Sequence, residues 1–383
     1  MRTMAISLIG LTCIGRMFWH LILTDACNLC CSYCRGKAFW PREEPGRPCA
    51  YDPLLPAELA IERDDLAAFL ARDPDPTLTF YGGEPLLRPD LVEDVMAYVP
   101  NCRFMLQTNG LLLDRLPPGT LNRFHTLLVS IDGPEALTDR HRGEGVYSGV
   151  LANIRRLLAG GFQGELIARM TVDEATEIEE AVLHCDGLPV SAVHWQLDAN
   201  FWGDHAMRDF ARWVQESYNP GIRRLVDAWV SRMEDGEVAR WYPFLDTMWD
   251  LLRAEPSRLR CGSGYANYTI QTDGMIVPCP IMTGMTGFYL GHIRDTDPFA
   301  IPPVPVGGCG DCDIASFCGG RCLYAAVTEP WPAAGRAEVC GTVRNLHDAL
   351  VHALPRVRAL LENGTIAPAD FDHVKFNGCE IIP

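Results

Sequence analysis

Short apolar runs alternate with segments of helical periodicity along the first half of the chain. The runs 17–23 (MFWHLIL), 77–83 (TLTFYGG), 102–108 (CRFMLQT), 126–132 (TLLVSID), 166–172 (LIARMTV) and 192–197 (AVHWQL) read as strands. Between them, 57–71 places Leu59, Leu66, Phe69 and Leu70 at helical spacing, and 90–98, 146–159 and 176–184 are helix-like as well. Strand followed by helix, repeated, predicts a parallel sheet with right-handed crossovers. The expected class is therefore α/β, an open partial (βα)6 barrel, with function at the C-terminal ends of its strands.

The pattern then changes. Residues 205–258 are Trp-rich, charged and helical, with Asn219-Pro220-Gly221 as the clear breaker, and read as a helical bridge. YANYTIQTDGMIVPC (265–279) alternates around Thr272-Asp273-Gly274, as a β-hairpin does. A Pro/Gly linker covers 294–308, cysteine-dense loops run from Cys309 to Cys340, and a helix covers 341–362. The expected organisation is an N-terminal extension (1–16), a barrel (17–204), the bridge (205–258), a small cysteine-rich domain with a hairpin (259–345) and a C-terminal helix and tail (346–383). AISLIGLTCIG (5–15) mimics a signal peptide but is too short to span a bilayer and lacks a small-residue cleavage site; Met17 is a plausible start.

Composition narrows the chemistry. The net charge of −16 argues against a nucleic-acid groove or an anionic membrane as partner, and 48% hydrophobic residues allow a large core in a chain of 383. Sixteen cysteines at short, ligand-like spacings point to soft-metal sites that need reduced thiols, hence to the cytoplasm.

The first constellation is Cys27-x3-Cys31-x2-Cys34, with Tyr33 before the last thiol, in the loop after the first strand. Three thiolates on one loop can hold three irons of a cubane and leave the fourth open. Zinc with Cys30 as fourth ligand is the alternative, awkward because Cys30 and Cys31 are adjacent. With Gly82-Gly83-Glu84-Pro85 ending the next strand, the chain resembles the radical S-adenosylmethionine (SAM) enzymes. The resemblance implies a 4Fe–4S cluster on Cys27, Cys31 and Cys34, SAM on its open iron, and a 5′-deoxyadenosyl radical as product of reductive cleavage. It further implies that Gly82, Gly83, Glu84 and Pro85 face the methionyl ammonium. Ser130 and Arg142 would contact the SAM carboxylate or ribose, with Asn109 nearby and Arg169 on the fifth strand, and Leu197 would border the adenine. The alternatives are a turn cap for Ser130 and a surface ion pair for Arg142.

The second constellation is Cys261-x12-Gly274-x4-Cys279, then Cys309-x2-Cys312-x5-Cys318-x3-Cys322, then Cys340. It resembles the SPASM extension of peptide- and protein-modifying radical SAM enzymes, which implies two auxiliary 4Fe–4S clusters and three clusters in all. The inner one would take Cys261, Cys279 and Cys322, the outer one Cys309, Cys312, Cys318 and Cys340. The inner set is one ligand short, because 254–260 hold no cysteine; either another residue such as Cys379 completes it or the site is open to a substrate thiol. Cys13, Cys49, Cys102 and Cys185 read as plain buried thiols. The opening and tail resemble peptide-modifying radical SAM enzymes of methanogenic archaea. The implied reaction is thioether or carbon–carbon crosslinking of a ribosomally made peptide or a protein side chain, with flavodoxin or ferredoxin as reductant and either a separate leader-binding protein or the bridge 205–258 recognising the substrate. Sulfatase-maturase-like oxidation or decarboxylation is the runner-up, although Pro280 stands where those enzymes carry an Asp base. Asp198, just past the sixth strand, is the candidate base here, a turn or cap being its bland reading. A non-catalytic iron–sulfur electron carrier and a zinc-stapled interaction module are the rivals from other classes.

Overall fold

All six predicted strands form, with ends within two residues of expectation: β1 (Phe18–Thr24), β2 (Thr77–Gly82), β3 (Arg103–Thr108), β4 (Phe124–Ser130), β5 (Glu165–Val172) and β6 (Ala192–Leu197). The computed structural model describes residues 16–34, 49–99, 101–199, 203–307 and 309–377. Neighbouring strands from β1 to β6 pair in parallel, with helices Arg63–Leu70, Pro89–Tyr98, Val146–Ala159 and Ile178–Asp186 among the crossovers.

The hairpin forms as predicted but not as part of a separate body. Its strands β7 (Asn267–Ile270) and β8 (Met275–Val277) pair antiparallel, and Gly274 turns the chain with φ +91°. β7 also pairs in parallel with β1, from Phe18↔Asn267 to Leu21↔Ile270. With β9 (Gly291–His292) the result is one sheet of order β6-β5-β4-β3-β2-β1-β7-β8-β9. Trp19 explains the join: it meets Phe69 edge-on at 4.7 Å and stacks on Tyr268 of β7 at 5.6 Å, fully buried. Burial of such a side chain contributes about 1.5–3 kcal/mol, and here it binds the barrel to the cysteine-rich region.

Strand alternation sorts the two faces. Trp19, Leu21 and Leu23 lie in the main core with Phe69 and Leu70, whereas Phe18, Met105, Leu128, Ile167 and Ala192 form an apolar floor inside the barrel, capped by Tyr242. Val374 and Phe376 of the tail pack against that floor. The helical bridge also forms, but the expected break does not. Phe210–Trp213, a π-turn at Val214–Tyr218 and Asn219–Glu234 follow one another directly, with Pro220 in the first turn of the last. A π-turn immediately before a proline removes the demand for its missing N–H. Farther on, Cys340 stands within a helix, Ala333–Glu362, rather than in a loop. No helix among the described residues is long and apolar enough to cross a membrane.

Candidate functional site

The loop that carries Cys27, Cys31 and Cys34 is held from two sides. On one side β2 continues its parallel pairing past the strand end: Gly83 N–H donates to Thr24 O and Glu84 N–H to Ala26 O, both at 2.8 Å. Gly82 has φ +144°, and a Cβ on Gly83 would lie 2.2 Å from Ala26 O. The glycine pair thus serves close approach, as expected, but to the cysteine loop. Glu84 departs further from expectation. Its carboxylate is buried and accepts hydrogen bonds from Leu86 N (3.0 Å), Thr108 Oγ1 (2.8 Å) and Asn109 N (2.7 Å), tying the ends of β2 and β3 together. Pro85 opens a short 3-10 turn behind it. Asn109 reaches the loop through Asn28, Nδ2 to Oδ1 at 2.7 Å.

On the other side stands a latch that sequence reading did not assign. Asp132 was visible in the strand-end motif Ser130-Ile131-Asp132-Gly133, but the helix Glu135–Arg142 was missed because it is charged, without an apolar stripe. Asp132 is fully buried and receives Arg142 through Nε (2.8 Å) and Nη2 (2.9 Å), Tyr33 Oη (2.9 Å) and Thr171 N (2.9 Å). His141 lies 3.3 Å from Asp132 through Nδ1 and 3.1 Å from Asp173 through Nε2. The His141 carbonyl accepts Ser32 N–H at 2.9 Å, and Arg142 lies over the Tyr33 ring at 5.5 Å. Arg142 is therefore neither a surface pair nor directed at a ligand carboxylate by that fork. Tyr33 is likewise pinned to the latch. Burial alone would raise the Asp132 pKa, but Arg142 and His141 overcome it and hold it at about 2. Burial works against a charged His141 too, yet hydrogen bonds to two carboxylates hold its pKa at about 9.

The three thiols lie close enough to feel one another's charge. Cys31 is pushed up to about 11 by burial, with the charges of Cys34, Asp132 and Cys27 adding and Arg142 opposing. Cys27 is raised by burial, and by Glu84 and Cys34. Cys30 is exposed. Bonding to iron would replace the proton on each thiol, a state that the Arg142 charge beside Cys31 favours.

Inside the barrel the polar layer sits above the apolar floor. Ser130 is paired in register with Arg169, whose Nη2 donates to Gln196 Oε1 at 2.8 Å. The pKa of His20 falls to about 4, through burial and then the Arg169 charge. Leu197 does not share this face. Alternation gives the interior to Gln196, and Leu197 lies buried in the main core with Val193 and Trp195. Asp198, one residue on, is only 7% exposed and accepts Arg208 Nη1 at 2.7 Å through Oδ2, while Oδ1 is buried without a hydrogen-bond partner among the described residues. Burial pushes its pKa up to about 6 against the pull of Arg208. Arg208, also missed, is bonded to Glu174 at 2.7 Å and lies over Trp331 at 5.1 Å.

Within each expected C-terminal set, thiols lie close enough to feel one another's charge. Burial raises Cys279, and the charges of Cys322 and Cys261 raise it further. Cys309 is raised by burial, then by Cys340 and Cys312, and Cys318 feels Cys309. Arg260 clamps both sets: it donates to Asp246 (2.5 Å), Asp250 (2.8 Å) and Phe317 O (2.7 Å), placing the residue before Cys261 against the residue before Cys318. Among the described residues no group of three or more His, Cys, Asp or Glu side chains is arranged to hold a metal ion. Cys13 and Cys379 lie outside the described residues.

Comparison with known proteins adds to this geometry. Residues 21–183 match the family model of the radical SAM superfamily. The chain is similar to an AdoMet-dependent heme synthase of Oleidesulfovibrio alaskensis, 23% identical over 78% of this chain and 80% of that protein. A heme synthase of Nitratidesulfovibrio vulgaris is 27% identical over 46% of each chain. A GTP 3',8-cyclase of Corynebacterium glutamicum is 32% identical over 41% of this chain and 42% of that protein. Thus the chain spans less than half the length of two of these three relatives. In fold it is similar to anSMEcpe with bound AdoMet (TM-score 0.65, 17% identity, 90% of this chain and 99% of that one). It is also similar to Streptococcus suis SuiB bound to S-adenosylmethionine (TM-score 0.52, 15% identity, 80% and 73%).

Proposed function

We propose that this chain, whose residues 21–183 match the radical SAM superfamily model, is a radical SAM enzyme that modifies a peptide or protein side chain through crosslinking. What carries the reading is the joint arrangement of Cys27, Cys31 and Cys34 at the top of β1 and the two thiol groups at Cys261–Cys279–Cys322 and Cys309–Cys312–Cys318–Cys340. A similar fold has been solved as anSMEcpe with bound AdoMet and the Kp18Cys peptide (TM-score 0.66), which supports a peptide as substrate.

When bound, a 4Fe–4S cluster with SAM supplies one electron for sulfonium cleavage and so a 5′-deoxyadenosyl radical. The chain's own residues do the rest. Cys27, Cys31 and Cys34 would hold the cluster, and the Asp132–His141–Arg142 latch fixes the loop on which they stand. Ser130, Arg169 and Gln196 line the polar interior below. Asp198, titrating at about 6, would take a proton from the substrate residue. The C-terminal thiol sets would hold auxiliary clusters that accept the surplus electron.

A second reading has one specific support: the heme synthase match over 78% of the chain favours a small macrocyclic substrate. One experiment tests both. Anaerobically reconstituted protein is expected to release 5′-deoxyadenosine, and Cys27→Ala/Cys31→Ala/Cys34→Ala to release none while keeping its auxiliary iron. Unchanged 5′-deoxyadenosine in the triple variant would sink the assignment. Deuterium transfer from a labelled peptide into 5′-deoxyadenosine supports the first substrate class; transfer only from a porphyrin supports the second.

A further inference from the structure

The trio Cys261, Cys279 and Cys322 would leave one corner of a cubane without a thiolate from its own region, and one further cysteine packs against the apolar group that contains two of the three. Cys49, which the sequence offered as a plain buried thiol, is half-buried and packs against the core group containing Leu259, Cys279, Met282, Met285 and Cys322. Its position is set by backbone pairing. Asp52 N–H donates to Gly284 O (2.8 Å), Thr286 N–H donates to Ala50 O (3.0 Å), and Tyr51 bridges antiparallel to Met285. The stretch so paired follows Cys279 directly, through the turn Pro280–Met282. Tyr289 Oη adds a bond to Asp52 at 3.1 Å, and Thr272 Oγ1 beside the hairpin turn bonds Pro56 O at 2.6 Å. Segment 49–60 is thus strapped to the hairpin unit at several points. Among the described residues the other unassigned thiols are placed differently: Cys102 and Cys185 lie in the main core, and Cys30 is exposed.

Resting on the reading of Cys261, Cys279 and Cys322 as an iron–sulfur site, we propose that Cys49 is the fourth thiolate of that site. Ligation releases the Cys49 proton to solvent and forms one iron–sulfur bond, with no change of oxidation state. The expected open corner is then closed by the protein. A substrate thiol is not bound there, and the inner cluster serves as an electron relay. One loop would supply ligands to two clusters, since Cys34 and Cys49 are fifteen positions apart.

The test uses full-length Cys27→Ala/Cys31→Ala/Cys34→Ala protein, reconstituted anaerobically so that only auxiliary sites load. This background is expected to hold about eight irons; if it binds none, the auxiliary-cluster reading itself fails. Adding Cys49→Ala should remove or shift the electron paramagnetic resonance signal of one cluster and leave the other unchanged, and Cys49→Ser should keep the iron with a shifted signal. In the wild-type protein, alkylation mapped by mass spectrometry should spare Cys49 until the iron is chelated. Unaltered iron and spectra in Cys49→Ala would overturn the proposal while leaving the auxiliary clusters standing. So would loss of the inner signal in Cys379→Ala with none in Cys49→Ala.

Discussion

Asp132 concentrates several demands on one buried carboxylate: it neutralises Arg142, orients His141 and anchors Tyr33 of the cysteine loop. Removing one partner from such a network leaves the others buried and unpaired, at a cost of about 3–5 kcal/mol. Asp132→Asn keeps the shape and loses the charge, so denaturant unfolding should show a loss of that order together with poorer iron loading at the first site. A loss below about 1 kcal/mol, the range of exposed pairs, would make the latch ornamental. His141 gives the pH sign. Its pKa rises from 6.5 to about 9 in the folded chain, so its contribution is complete below pH 6.5 and is lost as pH climbs through 9. Stability should fall across that window, and His141→Gln should flatten the slope; an equal slope in the variant would count against it. Asp198 shows the opposite behaviour for an acid. Burial holds its pKa at about 6, so a base role predicts turnover rising with pH through 6 to a plateau. Asp198→Asn should lose that limb, and an unchanged profile would remove Asp198 from the chemistry.

At the scale of elements, the parallel strands were legible because each is a short apolar run ended by a polar or glycine signal, and β6 agrees with its predicted ends, 192–197. The helix Glu135–Arg142 was not, since it is held by buried ion pairs rather than by an apolar stripe. The candidate site divides in the same way. Cysteine spacing marks candidate ligands directly, but nothing local says whether Glu84 or Arg142 faces a ligand or a neighbour, and the structure turns both inward. The placement of Cys49 was illegible because the stretch that pairs with its segment, Gly284–Thr286, lies more than two hundred residues away. The glycine pair after β2 allows a sharp test of how one element shapes another. A methyl on Gly83 would meet Ala26 O at 2.2 Å and Ala26 C at 2.5 Å, both backbone atoms that cannot rotate aside. Gly83→Ala should displace the segment leading into Cys27 and lower iron loading at that site several-fold, with auxiliary iron retained. Full loading in that variant would show that the loop has slack the packing does not reveal.

At the scale of the whole molecule, the pairing of β1 with β7 joins the barrel to the cysteine-rich end, and one guanidinium joins that end to the bridge helix. Arg260 is 2% exposed, precedes Cys261, and donates to the carbonyl of Phe317 beside Cys318. It also meets Asp246 and Asp250 of the helix Tyr242–Arg253, where Lys375 of the tail adds a bond to Asp250 at 3.2 Å. Four segments, the bridge helix, the tail and both thiol sets, therefore share one buried charge network. Asp246 is buried, which by itself would raise its pKa, but His373, Arg260 and Lys375 hold it well below the usual carboxylate range. That stabilisation is present above the ordinary Asp pKa and is lost only as pH falls below it, so it does not limit the protein near neutrality. Arg260→Met keeps the length of the side chain and removes its charge, leaving Asp246 and Asp250 to share Lys375 and His373. The expected loss is about 3–5 kcal/mol, and iron at the inner and outer sets should fall together, because the clamp holds one member of each. The Cys27–Cys31–Cys34 site, anchored by β2 and the Asp132 latch, should still load. Iron counts in Arg260→Met with and without the three first-loop cysteines separate the two ends of the molecule. A variant that loses only first-loop iron, or loses none, would show that the two thiol sets are positioned independently of Arg260.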